Sequence, residues 1–169
     1  MSTPTSIRTG SGSVVNAFAT PVDMPAVDFG ACRLTDESSA AKWRTWTDRF
    51  GVGIGEARSG DGILAVSVAP GEWIEVGEGD GPADGVDITH VRAMLRLTGP
   101  EARRVLEHVC ALDLSDLMTP NLAAARTLVA GVATELVRDD ADGELSYLLL
   151  VSRSFAAHLW DRLVAAAIS

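Results

Sequence analysis

The sequence predicts an α+β protein whose sheets are antiparallel or mixed and are flanked by helices. Two patterns carry this prediction. Short apolar stretches, in which buried and exposed positions alternate, occur in both halves of the chain and predict strands. Two longer stretches with apolar residues three and four positions apart occur in the second half and predict helices. Because residues 86–169 read as β-α-β-β-α, antiparallel pairing is favoured over a parallel sheet.

The composition is that of a soluble globular chain that can bury a core. It has 169 residues, of which 47% are hydrophobic and 22% charged. No apolar run approaches the roughly 20 residues that cross a bilayer, and no signal-peptide core is present, so we predict no membrane partner and a cytoplasmic location. A formal charge of -9 without a basic stripe argues against nucleic acid as a partner. Cys32 and Cys110 stand far apart and are predicted to be reduced and buried.

The chain divides into an arm and a domain. Residues 1–27 mix Ser, Thr, Gly and Pro without periodicity, which predicts a flexible or partner-bound N-terminal arm. We expect residues 28–169 to form one domain with two halves, about 28–85 and 86–169. In the first half, residues 63–68 and 73–76 are apolar runs separated by Ala-Pro-Gly, which predicts a hairpin.

The second half begins with a strand and a helix. Residues 91–97 alternate as a strand with one buried face requires. Thr98 has the position of an N-cap, and Glu101 three residues later completes a capping box with Pro100 in the first turn. The helix that follows carries an apolar stripe, which makes Cys110 a core residue: Ala102, Val105, Leu106, Val109 and Cys110.

Two further strands and a final helix complete the second half. The strands are predicted at about residues 126–138 and 145–152, with Asp142-Gly143 at the tip of the turn between them. Both faces of the second strand are apolar, so we expect it to be central and covered on both sides. Ser154 is predicted to cap the last helix, whose stripe contains Phe155, Leu159 and Leu163.

The residues with catalytic potential form no recognised constellation. GVGIGEA (residues 51–57) lacks the third glycine of a dinucleotide fingerprint and leads to a hairpin, so a turn is favoured. The three histidines and two cysteines show no metal-ligand spacing, and no nucleophile elbow is present. Asp113 could act as a general base near His90, although a loop-capping role is the commoner use of such an aspartate.

Two groups of basic residues are candidates for a subunit interface. His90, Arg92 and Arg96 project from the less apolar side of their strand, and Arg103 and Arg104 project from the exposed face of the helix. Either group could meet carboxylates of a partner.

Four stretches together carry a resemblance to a known family. They are LAVSVAPGEWIEVGE (64–78), VDITHVRAMLRLTGPEARRVLEHVCALDLS (86–115), AARTLV (124–129) and YLLLVSRSFAAHLWDRLVAAA (147–167). In this order, and over most of residues 34–167, the chain resembles the γ subunits of heterotetrameric sarcosine oxidases, relatives of the glycine-cleavage T-protein (aminomethyltransferase). It departs from the family pattern at Ala111, where proline commonly follows the cysteine.

The resemblance implies an aminomethyltransferase (glycine-cleavage T-protein)-like folate-binding fold and a non-catalytic role. In that family FAD, FMN, NAD and tetrahydrofolate are held by the α and β subunits, and a δ subunit completes the complex. The complex oxidatively demethylates sarcosine or a related N-methyl amine and yields glycine, 5,10-methylenetetrahydrofolate or formaldehyde, and hydrogen peroxide. The resemblance therefore implies that this chain has no catalytic, cofactor-binding or metal-binding residues and supports the large folate-binding subunit.

Two other functions stay open. The first is a free-standing folate-binding one-carbon transfer protein, in which Asp87 or Asp113 with Trp73 would form the pterin pocket. The K-G-C-[YF]-x-G-Q-E signature of many folate-binding relatives is absent from the sequence. The second is a non-enzymatic regulator that uses the same fold, since fold alone does not define function.

Overall fold

The computed structural model describes residues 24–78 and 80–169, which form two antiparallel sheets with helices packed on one of them. The predicted α+β class and antiparallel pairing are confirmed. The prediction of an N-terminal arm falls largely outside the described residues. Within them, the Met24 amide donates a hydrogen bond to Asp36 Oδ2 at 3.2 Å.

The larger sheet has six strands, which are β1 (Val27–Asp28), β2 (Arg33–Asp36), β8 (Arg92–Thr98), β9 (Ala124–Val129), β10 (Val132–Arg138) and β11 (Ser146–Ser152). Their order is β1-β2-β8-β11-β10-β9, and all neighbours are antiparallel. The predicted central strand is confirmed as β11, which is buried on both faces. Although β2 comes from the first half of the chain, it lies beside β8.

The smaller sheet has five strands, which are β3 (Lys42–Thr45), β4 (Glu56–Gly60), β5 (Ile63–Ala69), β6 (Glu72–Gly77) and β7 (Val86–Asp87). Their order is β4-β5-β6-β3-β7. The predicted hairpin is confirmed as β5–β6, with a register shift between Ser67 and Ala69.

Two apolar clusters lie on opposite faces of the larger sheet. One contains Tyr147, Leu149 and Val151 of β11 together with residues of α1 (Ala102–Glu107) and α2 (Ala156–Ala167). The other contains Leu148 and Leu150 with residues of β5 and β6, and it fills the space between the sheets. The alternation of side chains along β11 therefore separates the helical layer from the smaller sheet. None of the helices in the described residues is long and apolar enough to span a bilayer.

The start and end of the first helix differ from the prediction. Thr98 is the last residue of β8, and its hydroxyl lies 3.2 Å from Ser146 Oγ instead of capping a helix. Glu101 occupies the N-cap position without a side-chain cap and accepts from Arg104 Nε at 2.6 Å. The helix ends at Glu107, so the buried Cys110 lies beyond it, in an isolated bridge with Val129.

The prediction of a single strand at residues 126–138 is wrong. This segment belongs to the hairpin formed by β9 and β10. Its two-residue turn is Ala130-Gly131, with φ angles of 51° and 80°. The apolar sequence hides the turn, since alanine rarely adopts a positive φ. From β8 onward the observed order is therefore β-α-β-β-β-α, and the short strand β7 precedes it in the second half.

The cap predicted for the last helix is also wrong. A 3₁₀ turn (Arg153–Phe155) precedes α2, and Phe155 takes the N-cap position. The Ser154 hydroxyl lies 3.1 Å from Ser152 Oγ and does not bond to the helix backbone. Leu159 and Leu163 are buried as expected, whereas Phe155 is exposed.

Candidate functional site: a charged cluster between the sheets

A group of charged side chains lies between the two sheets, next to the apolar core that the sheets share. We call the following residues the Arg–Glu cluster: Arg44 on β3, Glu72 on β6, Arg92 on β8, Arg126 on β9 and Glu135 on β10. Four of them lie two positions along their strands from a core residue, namely from Ile74, Met94, Ala124 and Val137. Side chains two residues apart on a strand share a face, so the cluster lies between the sheets.

The charges of the cluster alternate along a chain of contacts. Arg92 pairs with Glu135, and Arg126 Nη2 lies 3.3 Å from the other carboxylate oxygen of Glu135. The same Arg126 atom lies 3.2 Å from Glu72 Oε1, which is also 3.3 Å from Arg44 Nε. Glu135 and Arg92 have side chains only 5% and 14% exposed, whereas Arg126 and Arg44 are 43% and 35% exposed. The cluster thus runs from a buried ion pair to two outer arginines in contact with solvent.

The cluster carries one more positive charge than negative, in a chain whose formal charge is -9. Burial lowers the pKa of the Arg92 guanidinium, and repulsion by Arg44 and Arg126 lowers it further. The Nε atoms of Arg44 and Arg92 and the Oε2 atom of Glu135 are buried and make no hydrogen bond of good geometry among the described residues. The 3.3 Å contact of Arg44 Nε with Glu72 is an ion-pair contact only. These features identify a local excess of hydrogen-bond donors and positive charge.

Two exposed apolar residues lie beside the outer arginines. Trp46 follows Arg44 by two residues and is 56% exposed, and Leu128 follows Arg126 on the same face of β9 and is 60% exposed. Aromatic residues and arginines are enriched at protein interfaces. The outer part of the cluster therefore has the composition of a contact surface.

The first predicted interface group, His90, Arg92 and Arg96, is split among three different surroundings. Arg92 belongs to the cluster. Arg96 donates to Glu37 at 2.7 Å, Asp139 at 2.9 Å and Ser146 at 2.8 Å, so its guanidinium is engaged within the chain. His90 is exposed, before β8 begins.

The basic residues predicted on the helix lie on the other side of the larger sheet. Arg104 pairs with Glu101 at the surface, and Arg103 pairs with Asp116. Because α1 packs on the face opposite Arg92 and Arg96, the two predicted groups do not form one surface. A contact between any of these residues and a partner stays a prediction.

The three residues considered for a pterin pocket form hydrogen bonds with the backbone of nearby turns and loops. Asp87 accepts from the Thr89 amide at 2.8 Å, and Asp113 accepts from the Ser115 amide at 2.9 Å, as the loop-capping interpretation predicts. The hydrogen bonds with Thr89 and Ser115 lower the pKa of each carboxyl group. Trp73 Nε1 donates to Val52 O at 3.1 Å. Each residue therefore has a local structural role.

The glycine-rich segment 51–57 contains a turn at residues 54–55, as predicted, and its last two residues begin β4 instead of a helix. Asp48 Oδ1 accepts from the amides of Phe50, Gly51 and Val52 at 2.7–3.1 Å. A side-chain carboxylate thus satisfies backbone amides that a dinucleotide loop would offer to phosphate.

Lys42 was missed as a residue of interest by the sequence analysis. It is the only lysine of the chain, and it is fully buried. Its Nζ donates to Ser38 O at 2.9 Å and Ala40 O at 2.6 Å. Burial is the main cause that lowers its pKa from 10.5 to about 8. The only sequence signal is that one of the 14 lysine and arginine residues of the chain is a lysine.

We expect the stability of the chain to depend on pH through Lys42. The folded state releases the lysine proton near pH 8 and the unfolded state near 10.5, so the unfolded state binds more protons in this window. The free energy of unfolding of the wild type, relative to Lys42→Met, should therefore rise with pH between these values by up to about 3 kcal/mol. Urea unfolding of both chains at several pH values measures the difference. A constant difference would contradict the prediction.

The two face-to-face antiparallel sheets, with helices on the larger one, define an aminomethyltransferase-like α+β protein. The chain belongs to the GCVT N-terminal domain family, whose model matches residues 68–169. It is 33% identical over 110 residues to an aminomethyltransferase from Geobacillus kaustophilus (strain HTA426), a match that covers 63% of this chain and 30% of that protein. The chain therefore spans less than a third of that relative's length.

Two solved structures are similar to the fold of this chain. Heterotetrameric sarcosine oxidase from Corynebacterium sp. U-96, in complex with pyrrole 2-carboxylate, matches with a TM-score of 0.70 and 22% identity over 84% of this chain and 86% of that chain. Glycine cleavage system aminomethyltransferase T from Bartonella henselae matches with a TM-score of 0.57 and 16% identity over 78% of this chain and 45% of that chain.

Proposed function

We propose that this chain is the small γ subunit of a heterotetrameric sarcosine oxidase-like flavoenzyme. The observation that carries the proposal is the nearly complete mutual coverage with one chain of the Corynebacterium oxidase, 84% and 86%. Two chains that cover each other so fully have closely similar lengths. The aminomethyltransferases, in contrast, extend well beyond the matched region. The matched region is thus nearly the whole of the oxidase chain but less than half of either aminomethyltransferase, which favours the oxidase subunit as the model for this chain.

On this proposal the chain has a supporting role in the complex. The α, β and δ subunits are its partners, and FAD, FMN, NAD and tetrahydrofolate bind to α and β. The complex oxidatively demethylates sarcosine or a related N-methyl amine, and this chain supports the large folate-binding subunit. It is a cytoplasmic protein.

The state of four carboxylates supports a role in which these groups do no acid–base chemistry. General acid–base catalysis needs a group whose pKa lies near the working pH. Hydrogen bonds hold the pKa of Asp87 and Asp113 below the ordinary value, so both are ionised at neutral pH. Within residues 24–78 and 80–169, the two most deeply buried carboxylates, Glu75 and Glu135, are paired with arginines.

Affinity purification of the tagged full-length chain from its native host tests the proposal. We expect two larger chains and one small chain in the eluate, identified by mass spectrometry, together with visible flavin absorbance. An unrelated tagged protein of similar size from the same host is the control for unspecific binding. A colourless chain that elutes alone would contradict the proposal.

The alternative is a free-standing folate-binding one-carbon transfer protein. The 33% identity to an aminomethyltransferase favours it as the second candidate. Titration of the isolated chain with tetrahydrofolate, followed by tryptophan fluorescence, distinguishes the two. Saturable binding that is lost in Trp73→Leu would support the alternative, and no binding would exclude it.

A further inference from the structure

We infer that Arg44 and Arg126 of the Arg–Glu cluster bind a carboxylate, an aspartate or glutamate side chain of a partner subunit, and that the same contact covers Trp46 and Leu128. The inference rests on the proposed function, because it names the contact by which the subunit would join its complex. It differs from the interface predicted from the sequence, which contained neither of these arginines.

The outer arginines have far more donors than acceptors. A guanidinium has five N–H donors in a planar fork. Arg126 makes one hydrogen bond, from Nη2 to Glu72 Oε1, and its contact with Glu135 is 3.3 Å. These distances, 3.2 and 3.3 Å, exceed the roughly 2.7–2.9 Å of a strong charge-assisted hydrogen bond. Two glutamates shared among three arginines thus leave the outer pair incompletely paired.

A carboxylate is the group that fits the donors of the outer arginines. Two parallel N–H donors of a guanidinium match the two oxygens of a carboxylate. The inner ion pair of Arg92 and Glu135 fixes one side of the cluster, so an incoming anion meets Arg44 and Arg126 from the solvent side. One added negative charge would neutralise the cluster.

The flanking apolar residues favour a protein partner as the source of the carboxylate. Trp46 and Leu128 are more than half exposed, and a protein surface that covered them would bury apolar area. Covering the arginines at the same time would remove their water, so the partner has to supply an anion. The chain is otherwise strongly acidic and would repel carboxylates elsewhere, which makes the cluster a determinant of orientation.

The test is co-purification of partners with tagged full-length variants from the native host. We expect the double variant Arg44→Glu/Arg126→Glu to recover roughly tenfold less partner than the wild type, since it replaces attraction with repulsion. Arg126→Lys keeps the charge but loses the two-donor fork, so it should recover less partner than the wild type and more than the double variant. The matched control is Arg33→Glu, an exposed arginine on β2 that pairs only weakly with Asp28, at 3.7 Å. It should recover as much partner as the wild type. Circular dichroism and thermal unfolding check that each variant is folded.

A second measurement covers the case in which the double variant does not fold. The recovery of partner by the wild type should fall with added NaCl, and it should fall less steeply for the neutral single variant Arg126→Gln. Equal salt dependence, or full recovery by a folded double variant, would overturn the inference. Saturable binding of sodium acetate or glutamate to the isolated wild-type chain, lost in Arg126→Gln, would also overturn it in favour of a small solute. Failure of the wild type to recover any partner would instead contradict the proposed function.

Discussion

Replacing Glu135 with glutamine is expected to lower the free energy of unfolding by about 3–5 kcal/mol, the usual cost of breaking a buried ion pair. Glutamine keeps the size of the side chain but removes the charge that faces Arg92. The guanidinium, which is itself largely buried, is then left without a carboxylate in a poorly solvated place. Urea unfolding followed by tryptophan fluorescence at neutral pH measures the change.

Two comparisons make this prediction specific. Glu101→Gln removes one partner of the exposed Arg104 pair and should change the free energy of unfolding by less than about 1 kcal/mol. Arg92→Met/Glu135→Leu removes both buried charges and should be far less destabilising than Glu135→Gln alone. If Glu135→Gln costs no more than Glu101→Gln, the buried pair does not contribute as we describe.

Gly99→Ala is expected to destabilise the chain by more than about 3 kcal/mol. Gly99 follows β8 with a φ of 121°, and a Cβ atom there would lie 2.4 Å from Ala31 O and 2.8 Å from Cys32 Cα. Both are backbone atoms of the turn between β1 and β2, so the clash cannot be relieved by a side-chain movement. Thermal unfolding by circular dichroism gives the change in stability.

Gly131→Ala is the matched control for Gly99→Ala. Gly131 also has a positive φ, 80°, but no atom lies within 4 Å of a Cβ built there. This variant should lose only about 1–2 kcal/mol, the conformational cost of a left-handed alanine. Equal losses in the two variants would show that the β1–β2 turn does not press on the end of β8 as the structure indicates.

The fold was predicted well wherever the signal was local. The alternation along β11 correctly gave its central place, and Ala-Pro-Gly correctly gave the β5–β6 hairpin. The errors arose where tertiary contacts override a local pattern. Thr98 bonds to Ser146 across the sheet instead of capping a helix, and Ala130 adopts a positive φ that glycine or asparagine would normally signal.

The Arg–Glu cluster could be predicted only in part. The alternation along β8 places Arg92 on one face, but it does not say that a second sheet covers that face. The five members of the cluster come from five strands in two sheets and are separated from one another in the sequence. Their proximity follows from strand order and register, which periodicity alone does not define.

The place of β2 beside β8 has a consequence for shortened forms of this protein. The family match begins at residue 68, whereas β2 lies at Arg33–Asp36 and pairs with residues 95–98 of β8. A fragment limited to residues 68–169 would leave those backbone amides and carbonyls unpaired on an apolar strand. Open strands of this kind recruit other chains and lead to aggregation. By covering this side of β8, β2 prevents the larger sheet from pairing with strands of other molecules.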